Sequence, residues 1–178
     1  MASDSSCRPR LAPTLGLPAL LCEAELAAAR LVKLKRWWPA FSGASPELPL
    51  LVARLDLAGV YYAIVAFRIG DLLTARMRLD AHTGKYAEAT GIEKVGASLR
   101  PYDTADAIRR RLIQQRVPPS PGARRAVAPV VDPIMVWQPS AQSPTAFLPF
   151  YRVTAGRHVR FWRVDGRDFD KVELGAGV

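Results

Sequence analysis

Two cysteines and two histidines among 178 residues leave little with which to hold a metal or build a nucleophile. His82 and His158 stand far apart, and neither is flanked by a cysteine or an acid at ligand spacing. No metal and no cofactor is expected. Cys7 and Cys22 could form one bridge, which would tie down only a Pro/Ser-rich tail, so both read as free thiols. Cys22, near a helix start, reads as a small buried residue. Gly-x-Ser-x-Gly, Ser-x-x-Lys, Gly-x-Gly-x-x-Gly and the phosphate-binding P-loop pattern are all missing, which removes the familiar hydrolase and nucleotide classes. No run of about 18 apolar residues exists, which excludes a membrane-spanning helix. Lysine is scarce as well: 5 against 20 arginines, in a chain of net charge +9. That bias fits a GC-rich bacterial genome, so the charge argues only weakly for a polyanionic partner.

The first residues need separate treatment. Arg8 and Arg10 precede Leu11 to Leu21, which loosely resembles a secretion signal. Pro13, Gly16 and Pro18 interrupt the run, and Leu21 is no small residue before Cys22. The reading is a flexible tail over 1–18 on a cytoplasmic chain, with secretion or a lipoprotein as the lesser alternative.

What the chain does have is apolar residues, 49% of the total and enough for a real core. Its size suits one domain or two small ones. Leu20, Ala24, Ala27, Leu31, Leu34 and Trp38 follow the helical period and predict a helix over 23–36, stopped by Pro39. Glu23 and Glu25 would open it and Lys33, Lys35 and Arg36 close it, as the helix dipole favours. Strands are predicted at 50–55, 60–69, 74–80 and 85–89. The second is apolar on both faces, as a central strand is. The third alternates Ala75, Met77 and Leu79 with Arg76, Arg78 and Asp80. Asp80 and Gly84 frame the turn that follows.

The second half repeats this order. Asp103 and Asp106 open a helix to about Arg116, and strands follow at 133–138, 145–153, 157–165 and 168–174. A shift of 84 residues lays Pro49 on Pro133, Val52 on Val136, Phe67 on Tyr151 and Arg68 on Arg152. A shift of 85 lays Met77-Arg78-Leu79-Asp80 on Trp162-Arg163-Val164-Asp165. Prolines, arginines and aspartates matching in order predict a duplication. The fold class is α+β: two repeated helix-plus-antiparallel-sheet units over 19–98 and 99–178, related by an internal pseudo-two-fold.

A helix followed by an antiparallel sheet, with Tyr61-Tyr62 on one strand and Leu79-Asp80-Ala81-His82-Thr83-Gly84-Lys85 after another, resembles the PepSY family. The match is best over residues 23–90. The second half keeps Tyr151, Val164-Asp165 and Gly166. The resemblance implies a PepSY-like, cystatin-like unit without catalytic residues. It also implies a binding, inhibitory or regulatory role and an extracytoplasmic setting, against the cytoplasmic reading of the first residues.

The basic groups form the surface with most content. Arg109, Arg110 and Arg111 fall on the second predicted helix. Arg76 and Arg78 share one strand face, and the repeat sets Phe161 and Arg163 on the equivalent face, with Arg157 beyond. Such a face could meet an acidic protein patch or stack bases and neutralise phosphates, or simply be solvated. Of the adjacent Trp37 and Trp38 one can face the core, and Trp37 is the candidate exposed anchor. Trp137 and Trp162, on strands, read as core. Asp80 and Asp165 read as turn-formers, and Asp168 and Asp170 as partners of arginines.

The leading expectation is a non-catalytic protein- or peptide-binding module, monomeric or homodimeric, with the role of a peptidase modulator or inhibitor or of a regulatory partner. A nucleic-acid-binding protein is the first alternative. The second is a small-ligand enzyme with a pocket between helix and sheet that contains Tyr61 or Tyr62 and an arginine such as Arg68 or Arg152.

Overall fold

The computed structural model describes residues 14–34, 38–91, 110, 133–155 and 158–173. The predicted second helix, apart from Arg110, lies outside them.

Helix α1 runs Leu17–Lys33. It begins six residues before the predicted start, because Pro18 initiates it: a proline in the first turn gives up an N–H that would have no partner there. Residues 17–18 are therefore helix and not tail. Glu23 and Glu25 sit in its middle, and only Arg30 and Lys33 in the last turn complement the dipole. Leu20, Ala24, Ala27, Ala28 and Leu31 form the buried stripe. Leu34, expected on that stripe, is the cap and is exposed. Cys22 is likewise exposed, a correction to its reading as buried: it lies four residues from the exposed Leu26, on the same solvent side. A four-residue turn, α2 (Trp38–Phe41), contains Pro39 and drops Phe41 edge-on against Phe67, with centroids 4.8 Å apart.

Among the described residues nine strands form one sheet. They are β1 (Ser45–Pro46), β2 (Leu50–Arg54), β3 (Tyr61–Ile69), β4 (Leu72–Asp80), β5 (Tyr86–Gly91), β6 (Ile134–Trp137), β7 (Phe150–Ala155), β8 (His158–Arg163) and β9 (Asp168–Phe169). Their order is β5-β4-β3-β2-β6-β7-β8-β9, with β1 extending the β2 side of β3. Among these strands every pairing is antiparallel except the central one: β2 and β6 run parallel, with Ala53 beside Val136 and Arg54 beside Trp137. The strand predicted over 145–153 begins only at Phe150. Pro149 has no N–H to give a ladder, and the Ser143 hydroxyl reaches the carbonyls of Thr145 and Leu148, which curls residues 143–149 into a loop.

The pleat sorts the side chains onto two faces. Ala63, Val65 and Phe67 of β3 stand beside Leu79, Met77 and Ala75 of β4, and α1 lies over them. Small residues at Ala24, Ala27, Ala28, Ala63 and Ala75 let the helix approach closely. The opposite face gathers Val52, Tyr62, Ile64, Met135, Trp137, Tyr151, Val153 and Trp162, with Ala146 and Phe147 of the 138–149 loop packed on them. Burying each of the larger apolar side chains contributes about 1.5–3 kcal/mol.

The turn after β4 ties these layers together. Asp80 Oδ1 accepts the backbone N–H groups of His82 (2.9 Å) and Thr83 (2.8 Å), and the Thr83 hydroxyl. Gly84 has φ +71°, and a Cβ there would lie 2.7 Å from Glu23 Cγ, so both backbone and space require glycine. The Leu15 N–H reaches the Ala81 carbonyl at 2.8 Å and seats the start of α1 on the turn.

Candidate functional site: a cation–aromatic ladder and two sheet edges

The face opposite α1 carries a row of stacked groups. The Arg78 guanidinium lies 5.6 Å from the Tyr62 ring centroid. Tyr62 meets Trp137 edge to face at 6.0 Å, and Arg54 covers Trp137 at 4.9 Å. Each side chain in this row makes a hydrogen bond. The Tyr62 hydroxyl donates to the Ala146 carbonyl at 2.9 Å, and the Trp137 indole N–H donates to Ser143 Oγ at 2.9 Å. Asp56 holds Arg54 by two bonds of 2.7 and 2.5 Å, and Glu88 holds Arg78 at 2.7 Å. The row joins β4, β3, β6 and β2 and so spans the central parallel pair.

The same economy holds elsewhere. Arg68 binds Glu47 and the Asp71 carbonyl. Arg163 is buried, forked onto Asp165 at 2.8 and 2.6 Å, and donates to the Gln142 carbonyl. Arg160 lies between Asp168 and Asp170. These pairs set the titration behaviour. Hydrogen bonding to Arg54 pulls the Asp56 carboxyl below its ordinary value, and Arg163 does the same for Asp165; the two guanidinium groups are raised in turn. For Asp80, burial pushes the carboxyl up, but bonds from Thr83 and His82 outweigh it and leave it lowered. All three shifts come from structural pairing or capping and not from a reacting pair. His82 Nε2 accepts the Tyr61 N–H at 3.2 Å. Among the described residues no group of three His, Cys, Asp or Glu side chains is placed to hold a metal, and no helix is long and apolar enough to cross a membrane.

The residues singled out from the sequence do not converge. Arg76 and Arg78 point to the face opposite α1; Phe161 and Arg163 point to the α1 side, because the central parallel pair carries the pleat across to the second half with matched positions inverted. They are not one surface. Tyr61 is exposed and Tyr62 buried, on opposite faces. Arg68 is six residues along β3 from Tyr62, and Arg152 stands on the other face, so these four line no common place. Arg110 is an exposed helical residue, and Trp37, Arg109, Arg111 and Arg157 lie outside the described residues. Trp137 and Trp162 are buried, as expected for core. Sequence reasoning missed Arg54, Asp56, Glu88 and Ser143. Two of them carried a readable sign: Arg54-x-Asp56 repeats as Arg163-x-Asp165, an Arg and an Asp two apart at a strand end.

Charge is unevenly shared. The described residues hold thirteen Lys and Arg against eleven Asp and Glu, so most of the +9 lies on the rest of the chain. A polyanion would find little unbalanced charge on the sheet.

The two outer strands of the sheet differ in kind. β9 is two residues long and set among Arg167, Asp168, Asp170 and Lys171, a short and charged edge of the sort that discourages pairing. β5 has six residues, pairs only with β4 among the described residues, and carries one charge, Glu88.

No protein-family model, curated protein or solved structure matches the chain.

Proposed function

We propose that this protein is a non-catalytic protein- or peptide-binding module made of two PepSY-like helix-and-sheet units, acting as a modulator or regulatory partner of another protein. The observation that carries the reading is the uneven finish of the sheet. Arg54, Arg78 and Arg163 are engaged in internal ion pairs, whereas among the described residues no strand pairs with the outer main chain of β5. Backbone of that kind recognises an extended segment by adding it as a further strand.

Three features support the duplication. The strand order reads outward from the centre as β2-β3-β4-β5 on one side and β6-β7-β8-β9 on the other. A half-turn about an axis along the strands, between β2 and β6, exchanges the two series and also exchanges the faces. Phe67 and Met77 lie under α1, and their matches Tyr151 and Trp162 lie in the cluster on the opposite face. Such an axis also requires a one-residue stagger, since matched residues point to opposite faces and cannot be neighbours. Ala53 pairs with Val136, one short of its match at 137.

The test is selection of random displayed peptides by the intact protein. Enrichment of related sequences over an unrelated control protein supports the reading, and no enrichment ends it.

A further inference from the structure

We infer that the partner is an extended segment with small apolar residues at alternate positions and a basic residue in register with Glu88, added to β5 alongside α1. The inference rests on the binding function proposed above and names its site and ligand chemistry.

Beyond a bulge at Ala87, β5 is regular from Glu88 to Gly91. Ala89 and Gly91 pair with Met77 and Ala75, which places them on the α1 side. Ala89 packs on the helix-covered core yet stays partly accessible. Both residues are small, so a neighbouring strand could bring apolar side chains beside them without displacing anything. The wall is the flank of α1. Glu23 reaches Gly84 where β5 begins, and the helical period continues that flank through Ala27, Arg30 and the exposed Leu34. Leu34 adds apolar surface that nothing in the described residues uses.

The other face sets the polar half of the pattern. Glu88 and Thr90 stand beside Arg78 and Arg76. Arg78 takes one carboxylate oxygen of Glu88, but the Glu88 side chain remains 43% exposed. A cationic residue directly across from it gains an opposite-charge cross-strand pair. An acidic residue there would face Glu88 at strand distance and be rejected. β9 offers none of this: two residues, charged on both sides, with Arg160 engaged by Asp168 and Asp170.

The experiment takes peptides selected by the intact protein and maps them on it by amide hydrogen exchange. The inference expects alternation of small apolar and polar residues, Lys or Arg within the polar set, and exchange at 88–91 slowed about tenfold or more, with 168–169 unchanged. Ala89→Leu should weaken binding about tenfold by filling the floor. Should that variant not fold, the same peptide N-methylated at alternate residues tests strand addition on the unaltered protein and should lose about tenfold. Peptides that bind but protect other amides, or tolerate both changes, overturn this inference and leave the binding function standing. Failure to enrich any peptide overturns both.

Discussion

The sheet buries its two faces by different means. Under α1 the core is aliphatic: Leu20, Val65, Met77 and Leu79 with one aromatic pair, Phe41 and Phe67, and no side chain with a hydrogen bond to satisfy. The opposite cluster is built from Tyr62, Trp137, Tyr151 and Trp162, so it imports polar atoms into a dry place. The first face depends on shape. The second depends on shape and on partners, which the 138–149 loop supplies through Ser143 and the Ala146 carbonyl. A helix can roof small aliphatic residues with no polar groups of its own, whereas tryptophan and tyrosine need a loop with carbonyls and hydroxyls to spare.

This contrast can be broken in order of expected effect. Met77→Ala on the helix-covered face should cost about 2–5 kcal/mol, most of it from the cavity left at a fully buried site, measured by denaturant unfolding. Ser143→Ala on the other face removes only one oxygen. It should nonetheless cost about 1–3 kcal/mol, because it strands the Trp137 N–H and the Leu148 carbonyl, while the Thr145 carbonyl keeps the Leu148 N–H. A cost near zero would mean the loop is no more than a cover. Tyr62→Phe should cost about 0.5–1.5 kcal/mol through the bond to Ala146. The finest comparison is between two tryptophans. Trp162 Nε1 is buried and has no partner among the described residues, unlike Trp137 Nε1. Trp137→Phe should therefore be worse than Trp162→Phe by about 1 kcal/mol, since each loses the same ring volume and only one loses a bond.

Acid sharpens the picture of the turns. Asp56, Asp80 and Asp165 are lowered from 3.8 in the folded chain. Each contributes stability fully present above the unfolded value and lost as pH falls through the lower folded value. Thermal stability should fall progressively below about pH 4, and Asp80→Asn should flatten that dependence. A flat wild-type profile would remove the capping role of Asp80.

Much of this molecule is written in local pattern. The alternation of β4 from Ala75 to Asp80 is what the sheet displays, the two-sided apolar β3 is central, and the Asp80–Gly84 turn is capped as its residues suggest. These features depend on neighbours in sequence, so a single sequence exposes them. Pro18 misled because proline both starts and breaks helices, and the outcome depends on whether Leu15 finds the Ala81 carbonyl. The parallel junction of β2 and β6 is decided by contacts about eighty residues apart, and no periodicity encodes it. Its consequence, that matched arginines stand on opposite faces, was invisible for the same reason. So was the difference between the edges, because a strand does not announce whether it has a second neighbour.

The account stands on β2 and β6 being side by side, since that pairing makes β5 and β9 the two rims of one sheet and inverts the matched faces. The direct measurement is the pattern of inter-strand backbone nuclear Overhauser contacts in the labelled protein. Contacts joining Ala53 to Val136 and Arg54 to Trp137, in parallel register, are predicted. Contacts that pair either strand with a different neighbour, or join the two in antiparallel register, would contradict it.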